Sequence, residues 1–223
     1  MDKEFWLDRW DAGETGWHRE DVHPELIEHW PSLGLPAKSR VLVPLCGASN
    51  DMAWLASQGH EVIGVELSKL ALERFLARHR VRHVETEDYG MRCYMGGRYQ
   101  LLCGDFFSLP DEVFASADAV YDRASLVALP PDLRERYVKL LAERIRPGTK
   151  GLMISLAYDQ REMNGPPFSV AEDEVERLLA APFELELISR KDALEDGMKK
   201  RGLTALEEST YRLRRKGGAG AGA

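Results

Sequence analysis

The sequence has few of the features that mark disulfide-bonded, membrane-spanning or nucleic-acid-binding proteins. Its three cysteines form an odd, scattered set with no metal-ligand spacing, so we expect reduced thiols: Cys46, Cys93 and Cys103. No run of eighteen apolar residues occurs, which argues against a transmembrane helix. The formal net charge of -7 argues against a nucleic-acid-binding surface. The start, MDKEFWLDRW, lacks the basic region and apolar centre of a signal peptide, so we expect a cytoplasmic protein.

The chain is long enough, at 223 residues with 44% hydrophobic content, to form one hydrophobic core. We predict a single domain over residues 1–216, in which residues 1–36 form a cap or lid. Residues 217–223, of glycine and alanine alone, cannot pack and are expected to be disordered. His79 and His83 lie among arginines and are interpreted as solvated, so no metal is predicted. We expect a monomer without nucleic-acid or membrane partners.

The stretch from Arg40 to Ser68 organises the rest of the chain. The apolar run Val41–Val43 predicts a buried parallel strand, and a turn rich in small residues follows it. Helical spacing then runs from Asp51 to a stop at Gly59, before a second apolar run that ends on Glu66. The pattern therefore predicts a strand, turn, helix and strand, with an acid about twenty residues after the glycine turn.

This unit predicts a nucleoside site. Gly47 lets the backbone approach a ligand, while Glu66, at the end of the adjacent parallel strand, can accept hydrogen bonds from both ribose hydroxyls. The turn has a single glycine instead of the G-x-G-x-x-G of a dinucleotide site, so pyrophosphate binding is poorly supported. A nucleoside cofactor without phosphate fits better, and S-adenosylmethionine is the common one. The alternative is an ordinary α/β unit in which Gly47 and Glu66 have structural roles only.

The first thirty residues hold four of the five tryptophans. Phe5, Trp6 and Trp10 fall near helical spacing, and Gly13 and Gly16 bracket a turn. One interpretation is a helix that caps the sheet. The other is a lid whose aromatic faces close over a flat or cationic ligand, with the glycines as hinges.

Strands and helices continue to alternate after Glu66, with strands predicted to end near Asp105 and Arg123. Asp105 is interpreted either as an acceptor for an adenine amino group, with Phe106 over a ring face, or as a cap of the following turn. The pattern predicts an α/β fold with a doubly wound, mostly parallel sheet of seven strands, Rossmann-like and of the class I methyltransferase type, with an N-terminal aromatic helical lid.

Several stretches together resemble the bacterial thiopurine S-methyltransferase family, over about Phe5 to Arg212: FWLDRWDAGETGWH, VPLCGASNDMAWLASQGHEVIGVELS, GDFF and YDRASLVALPP. The resemblance implies that S-adenosylmethionine is the methyl donor and S-adenosylhomocysteine the product. It also implies cofactor contacts at these positions: Trp10, Leu45, Glu66, Asp105, Phe106 and Arg123. Family members methylate the sulfur of thiopurines, and bacterial relatives are associated with selenium and tellurium compounds.

Methyl transfer to a thiolate needs alignment and exclusion of water more than a covalent catalyst. Arg123 is the residue to which we assign a catalytic role, because its guanidinium can hold an anionic acceptor or the carboxylate of the donor. Cys46 is interpreted as a packing residue. The alternatives are an O- or N-methyltransferase, for which His18 in the lid is the candidate base, and a noncatalytic nucleoside-binding module.

Overall fold

The computed structural model describes residues 3–123 and 125–217. The predicted disordered tail therefore lies, apart from Gly217, outside the described residues. The chain divides into two compact units, residues 1–121 and 122–223, which are described separately. The prediction of one domain over residues 1–216 stays a prediction.

The first unit contains five helices and a sheet with the strand order β3-β4-β5-β2-β1-β6 among the described residues. The strands are β1 (Arg40–Val43), β2 (Glu61–Glu66), β3 (Val84–Asp88), β4 (Met91–Gly96), β5 (Tyr99–Cys103) and β6 (Ala119–Asp122), the last of which ends at the boundary. The helices are α1 (Lys3–Asp11), α2 (Pro24–His29), α3 (Asn50–Ser57), α4 (Lys69–Arg78) and α5 (Asp111–Ser116).

Parallel pairing brings the carboxyl ends of the central strands to one edge of this sheet. β1 pairs in parallel with both β2 and β6, and β2 pairs in parallel with β5, where Glu66 lies opposite Cys103. Serine caps start the helices that follow β1 and β2. Ser49 Oγ accepts from the backbone N–H of Asp51, and Ser68 Oγ accepts from that of Ala71. The predicted strand, turn, helix and strand are confirmed.

A β-hairpin accounts for two strands that the predicted seven did not include, and the predicted count is wrong. β3 and β4 pair antiparallel, and Asp88 lies opposite Met91. The two residues between them, Tyr89 and Gly90, have φ of 58° and 68°. Positive φ at both central residues is the signature of the type I′ turn that suits a two-residue hairpin. Polar and glycine-broken sequence over residues 84–98 predicts a loop or small hairpin, and with this hairpin the strands number nine among the described residues.

The second unit contains four helices and three antiparallel strands in the order β7-β9-β8 among its described residues. The strands are β7 (Lys150–Ala157), β8 (Phe183–Asp192) and β9 (Glu207–Arg215), and the helices are α6 (Ser125–Ala128), α7 (Pro131–Arg144), α8 (Glu172–Leu179) and α9 (Asp196–Lys200). Within the two described ranges, none of these helices, nor any in the first unit, combines the length and apolar character needed to cross a bilayer.

Candidate active site

The turn after β1 has an unusual backbone that presents its amide groups at the edge of the sheet. Leu45 and Gly47 both have left-handed φ values, 47° and 54°. Such values are uncommon for a residue with a side chain, and Leu45 adopts one because the surrounding turn fixes it. The N–H of Cys46 donates to the carbonyl of Val65 on β2 at 2.9 Å, which ties the turn to the neighbouring strand.

Glu66 places a buried carboxylate directly against this turn. Its Oε2 accepts from the N–H of Gly47 at 2.9 Å, and its Oε1 accepts from the N–H of Ser68 at 2.9 Å. Burial raises the pKa of Glu66, and the backbone N–H groups of Ser68, Gly47 and Leu67 oppose that rise. Each carboxylate oxygen keeps a further lone pair after one such bond. The group therefore fits a pair of ribose hydroxyls.

Trp10 closes one side of the turn. A β-carbon at Gly47 would lie 3.2 Å from Cζ2 of Trp10, so the indole lies directly over the glycine. The guanidinium carbon of Arg74, on α4, lies 5.7 Å from the centre of the Trp10 ring, and Trp17 contacts the same ring edge-on. Gly47, Trp10 and Glu66 thus form a cradle in which the missing side chain of Gly47 leaves room for the Trp10 indole.

Two polar residues at the start of α3 hold the N-terminal segment in place. The side-chain amide of Asn50 donates to the carbonyl of Glu20 at 2.6 Å. Asp51 Oδ1 accepts from the N–H of His23 at 2.8 Å, and its Oδ2 accepts from the hydroxyl of Tyr121 at 2.9 Å. From the sequence alone, these two residues are only candidates for the start of a helix. Their partners are 28 to 70 residues away in sequence, so no local pattern indicates them.

Asp105 caps the following turn and pairs with a lysine in the first unit. Its Oδ1 accepts from the N–H of Phe107 at 3.0 Å, so the interpretation as a cap of the following 3-10 turn is confirmed. Its Oδ2 lies 2.9 Å from Nζ of Lys3, on α1. Phe106 is buried, with its ring edge-on to Phe107 and Phe114. The adenine contacts of Asp105 and Phe106 stay predictions.

Arg123 belongs to the second unit, directly after β6. It is partly exposed, whereas its neighbour Asp122 is almost completely buried. Asp122 Oδ2 accepts from the hydroxyl of Tyr137 at 2.6 Å, and Oδ1 accepts from the N–H of Ser125 at 3.0 Å. Burial raises the pKa of Asp122, and it raises the pKa of Tyr137 well above its usual range, with a further rise from the Asp122 charge.

Other polar candidates in the first unit have structural partners. The Cys46 thiol packs so closely that a β-carbon on Gly64 would lie 2.9 Å from it, and burial raises the pKa of Cys46 well above its ordinary value. His18 Nε2 accepts from the Arg78 guanidinium at 3.2 Å. The expectation that His79 is solvated is wrong, because His79 is partly buried and its Nε2 lies 2.9 Å from Oδ1 of Asn50.

Known structures share this fold. A Burkholderia thailandensis 1,6-didemethyltoxoflavin-N1-methyltransferase with bound S-adenosylhomocysteine is 20% identical, with a TM-score of 0.67 over 96% of this chain and 87% of that chain. A SAM-dependent methyltransferase from Methanosarcina mazei is 16% identical, with a TM-score of 0.65 over 88% of this chain and 99% of that chain. The chain has the class I, Rossmann-like fold of methyltransferases that use S-adenosylmethionine (SAM).

Sequence comparison identifies the family within this class. The thiopurine S-methyltransferase family model matches residues 1–216. A thiopurine S-methyltransferase of Pseudomonas fluorescens (strain Pf0-1) is 45% identical over 216 residues, which cover 96% of this chain and 99% of that protein. One from Bordetella petrii is 46% identical over 219 residues, 97% of this chain and 100% of that protein. The chain belongs to the thiopurine S-methyltransferase family, so the predicted resemblance is confirmed, and it is a SAM-dependent methyltransferase.

Proposed function

We propose that this enzyme transfers the methyl group of SAM to the sulfur of thiopurines or related thiols, and that selenium and tellurium compounds are further acceptors. The observation that carries the proposal is the buried Glu66 carboxylate, joined to the Gly47 and Ser68 amides beneath Trp10. The family membership and the names of the relatives support the sulfur acceptor. When bound, SAM supplies a methyl group on a positively charged sulfur.

Glu66 has the first role in this proposal. Its two oxygens receive the ribose hydroxyls, and the backbone N–H groups of Gly47 and Ser68 keep the carboxylate fixed before the ligand arrives. We expect Asp105 and Phe106, at the same edge of the sheet, to contact the adenine. The ion pair between Lys3 and Asp105 would then break, or the Asp105 carboxylate would bind both Lys3 and the adenine. Leu45 holds the strained turn from which the Gly47 amide points.

Trp10 and Arg123 have the remaining roles. The indole of Trp10 excludes water and offers a π face to a positively charged sulfur. The Arg123 guanidinium orients the carboxylate of the donor or holds an anionic acceptor. Neither role needs a covalent intermediate, so Cys46 is a packing residue in this proposal. The reaction so described needs no metal ion, and a chelator should leave its rate unchanged.

The runner-up is an O- or N-methyltransferase that uses a general base. His18, the base that the sequence suggested, accepts a hydrogen bond from Arg78 on Nε2, so the lone pair of that nitrogen is already occupied. Thiol chemistry supports the sulfur acceptor, because a thiol ionises at a lower pH than a phenol and needs less help from a base.

Transfer of radiolabelled methyl from SAM to a panel of acceptors tests the proposal. The panel contains a thiopurine, an aliphatic thiol, a phenol, an amine, selenite and tellurite. We expect label on the sulfur acceptors and on the selenium or tellurium compounds, but not on the phenol or the amine. Label confined to the phenol or the amine would favour the runner-up. SAM binding without label on any acceptor would favour the noncatalytic alternative.

A further inference from the structure

The single-turn helix α6 follows Arg123 closely in sequence and depends on side chains outside it. α6 spans only Ser125–Ala128. A helix of one turn is not stable alone, because nucleation is costly and every one of its backbone groups lacks a partner inside the helix. Something else in the second unit must therefore hold it. Any shift of α6 would move Arg123, since one residue separates them.

The buried Arg134 supplies part of that support. It lies on the first turn of α7, is 1% exposed, and points back to the segment before its own helix. Its Nε donates to the carbonyl of Leu126 at 3.2 Å, and an Nη donates to the carbonyl of Leu129 at 3.0 Å. Its other Nη lies 2.5 Å from Oε1 of Glu174, on α8. Arg134 thus satisfies one carbonyl of the short helix, that of Leu126, and one directly after its end, that of Leu129.

Two further contacts complete the support of α6. The N–H of Phe168 donates to the carbonyl of Val127 at 2.6 Å, and the Asp122 carboxylate accepts from the N–H of Ser125 at 3.0 Å. Asp122 is itself held by Tyr137, which lies one turn after Arg134 on α7. The segment is therefore fixed at its start by Asp122, which Tyr137 of α7 holds, and at its end by Arg134 of α7. Arg123 lies between Asp122 and the helix.

The choice of arginine in this place indicates more than stability. A buried guanidinium is costly to desolvate, and an apolar side chain of similar volume often stabilises a protein as well or better. What an apolar side chain cannot do is bind two carbonyls and a carboxylate in fixed directions. The planar fork of arginine does so, and lysine does not reproduce it.

We propose that Arg134 is a positioning residue for methyl transfer, which fixes α6 and thereby the place of Arg123. The inference rests on the proposed role of Arg123. In this inference the Arg134–Glu174 pair supports catalysis although neither residue contacts the donor or the acceptor.

A double-mutant cycle with Arg123→Ala tests this inference. We expect Arg134→Lys to lower kcat/KM for the thiol about 10- to 100-fold, since small misplacements of an aligning group have effects of this size. In the Arg123→Ala background, the same substitution should have less than a twofold further effect, because Arg134 acts through Arg123. If the losses of kcat/KM in Arg134→Lys and Arg123→Ala multiply in the double variant, the inference is overturned. A normal kcat/KM for Arg134→Lys would overturn it too.

Hydrogen exchange of the amides in residues 125–129 gives a readout independent of activity. We expect faster exchange in Arg134→Lys and in the milder Glu174→Gln, with the thermal transition retained. Unchanged exchange would overturn the inference even if activity fell. Lys139→Met is the matched control, since Lys139 is an exposed cation on the same helix, 3.9 Å from Glu143, and its loss should change neither readout.

The same measurements separate this inference from the proposed function. If the wild-type enzyme methylates no sulfur acceptor, the proposed function fails, and the cycle is then run on whichever acceptor takes label. If sulfur is methylated but the Arg134 and Arg123 effects multiply, the proposed function stands and the positioning role is overturned. Loss of folding in Arg134→Lys does not block the test, because Glu174→Gln retains Arg134 but removes the carboxylate that orients its guanidinium, and so weakens its contacts to both carbonyls.

Discussion

The backbone N–H of Gly47 donates to Oε2 of Glu66 at 2.9 Å, across 19 residues of sequence. This bond joins the turn after β1 to the end of β2, which are the two places where a nucleoside would be held. It also fixes one oxygen of a carboxylate that burial disfavours in its charged form. Folding therefore provides the free energy that orders this carboxylate, and cofactor binding need not provide it.

Removing the Glu66 carboxylate should weaken SAM binding strongly. Loss of hydrogen bonds to a charged group costs about 1.5–3 kcal/mol, which corresponds to at least a tenfold rise in Kd. We expect this for Glu66→Ala, measured by calorimetry without acceptor. Glu61→Ala, at the exposed start of the same strand, is the control and should bind normally. Near-normal affinity in a folded Glu66→Ala would remove Glu66 from the ribose site.

SAM affinity should fall at mildly acidic pH. The pKa of Glu66 in the free enzyme is raised by burial, so the carboxylate takes up a proton at a higher pH than an ordinary glutamate. Ribose hydroxyls bind the ionised form as an acceptor pair. Below the raised pKa, Kd should therefore rise by up to about tenfold per pH unit, and above it Kd should be flat. Calorimetry in buffers of different ionisation enthalpy should detect proton release on binding near that pKa.

Glu66→Gln provides the control for this pH dependence. Glutamine has a similar shape but does not titrate, so its binding should be weaker at neutral pH and independent of pH over the same range. A pH profile that Glu66→Gln leaves intact would assign the titration to another group.

Gly47→Ala should disturb both the fold and the site. Alanine at φ of 54° is strained, and its β-carbon would lie 3.2 Å from Trp10. Gly34→Ala is a matched control, because Gly34 has φ of 58° with no atom within 4 Å of an added β-carbon. Both should lose roughly 1 kcal/mol of unfolding free energy from backbone strain. Gly47→Ala should lose more and bind SAM at least several-fold more weakly, as urea denaturation and calorimetry would show. Equal losses of stability and of SAM affinity in the two variants would mean that the Trp10 side chain moves away from the added methyl group without cost.

The sequence was informative where local pattern and strand order decide the structure. Glu66 could be located because two short apolar runs, helical spacing from Asp51 and a stop at Gly59 define one strand, turn, helix and strand. The sequence did not clearly indicate a two-residue hairpin turn at Tyr89 and Gly90, because tyrosine is not a usual residue at positive φ. Nothing in the sequence indicated that Arg134 is buried or that it holds the segment before its helix. It occupies a helical position at which any exposed arginine would look the same, and its partner Glu174 is 40 residues away.

The tethering of the N-terminal segment to α3 should control the lid. Asn50→Ala removes the hydrogen bond to the Glu20 carbonyl and the contact with His79. We expect faster hydrogen exchange in residues 5–20 and weaker SAM binding, while wild-type exchange in this range slows when SAM is added. Gln58→Ala, on the exposed far end of α3, should leave both measurements unchanged. Equal protection with and without SAM in the wild type would make the segment a fixed cap.

Arg123 should show by its kinetics whether it serves the donor or the acceptor. If the guanidinium orients the donor's carboxylate, Arg123→Ala should weaken SAM binding at least about tenfold in calorimetry without acceptor. If it holds the acceptor anion, SAM affinity should change little while the acceptor KM rises or kcat falls. We expect the donor effect to be larger, since the family resemblance places this residue among the cofactor contacts.

Arg123→Lys separates charge from shape in the same measurements. Lysine keeps the positive charge but cannot bind a carboxylate with two parallel N–H groups. Recovery of most of the SAM affinity by lysine would indicate that charge alone matters, as for a diffuse acceptor anion. Failure to recover would indicate bidentate binding of the donor's carboxylate. An alanine variant with both normal SAM affinity and normal turnover would exclude Arg123 from either role, and would direct attention to the other cations of the second unit.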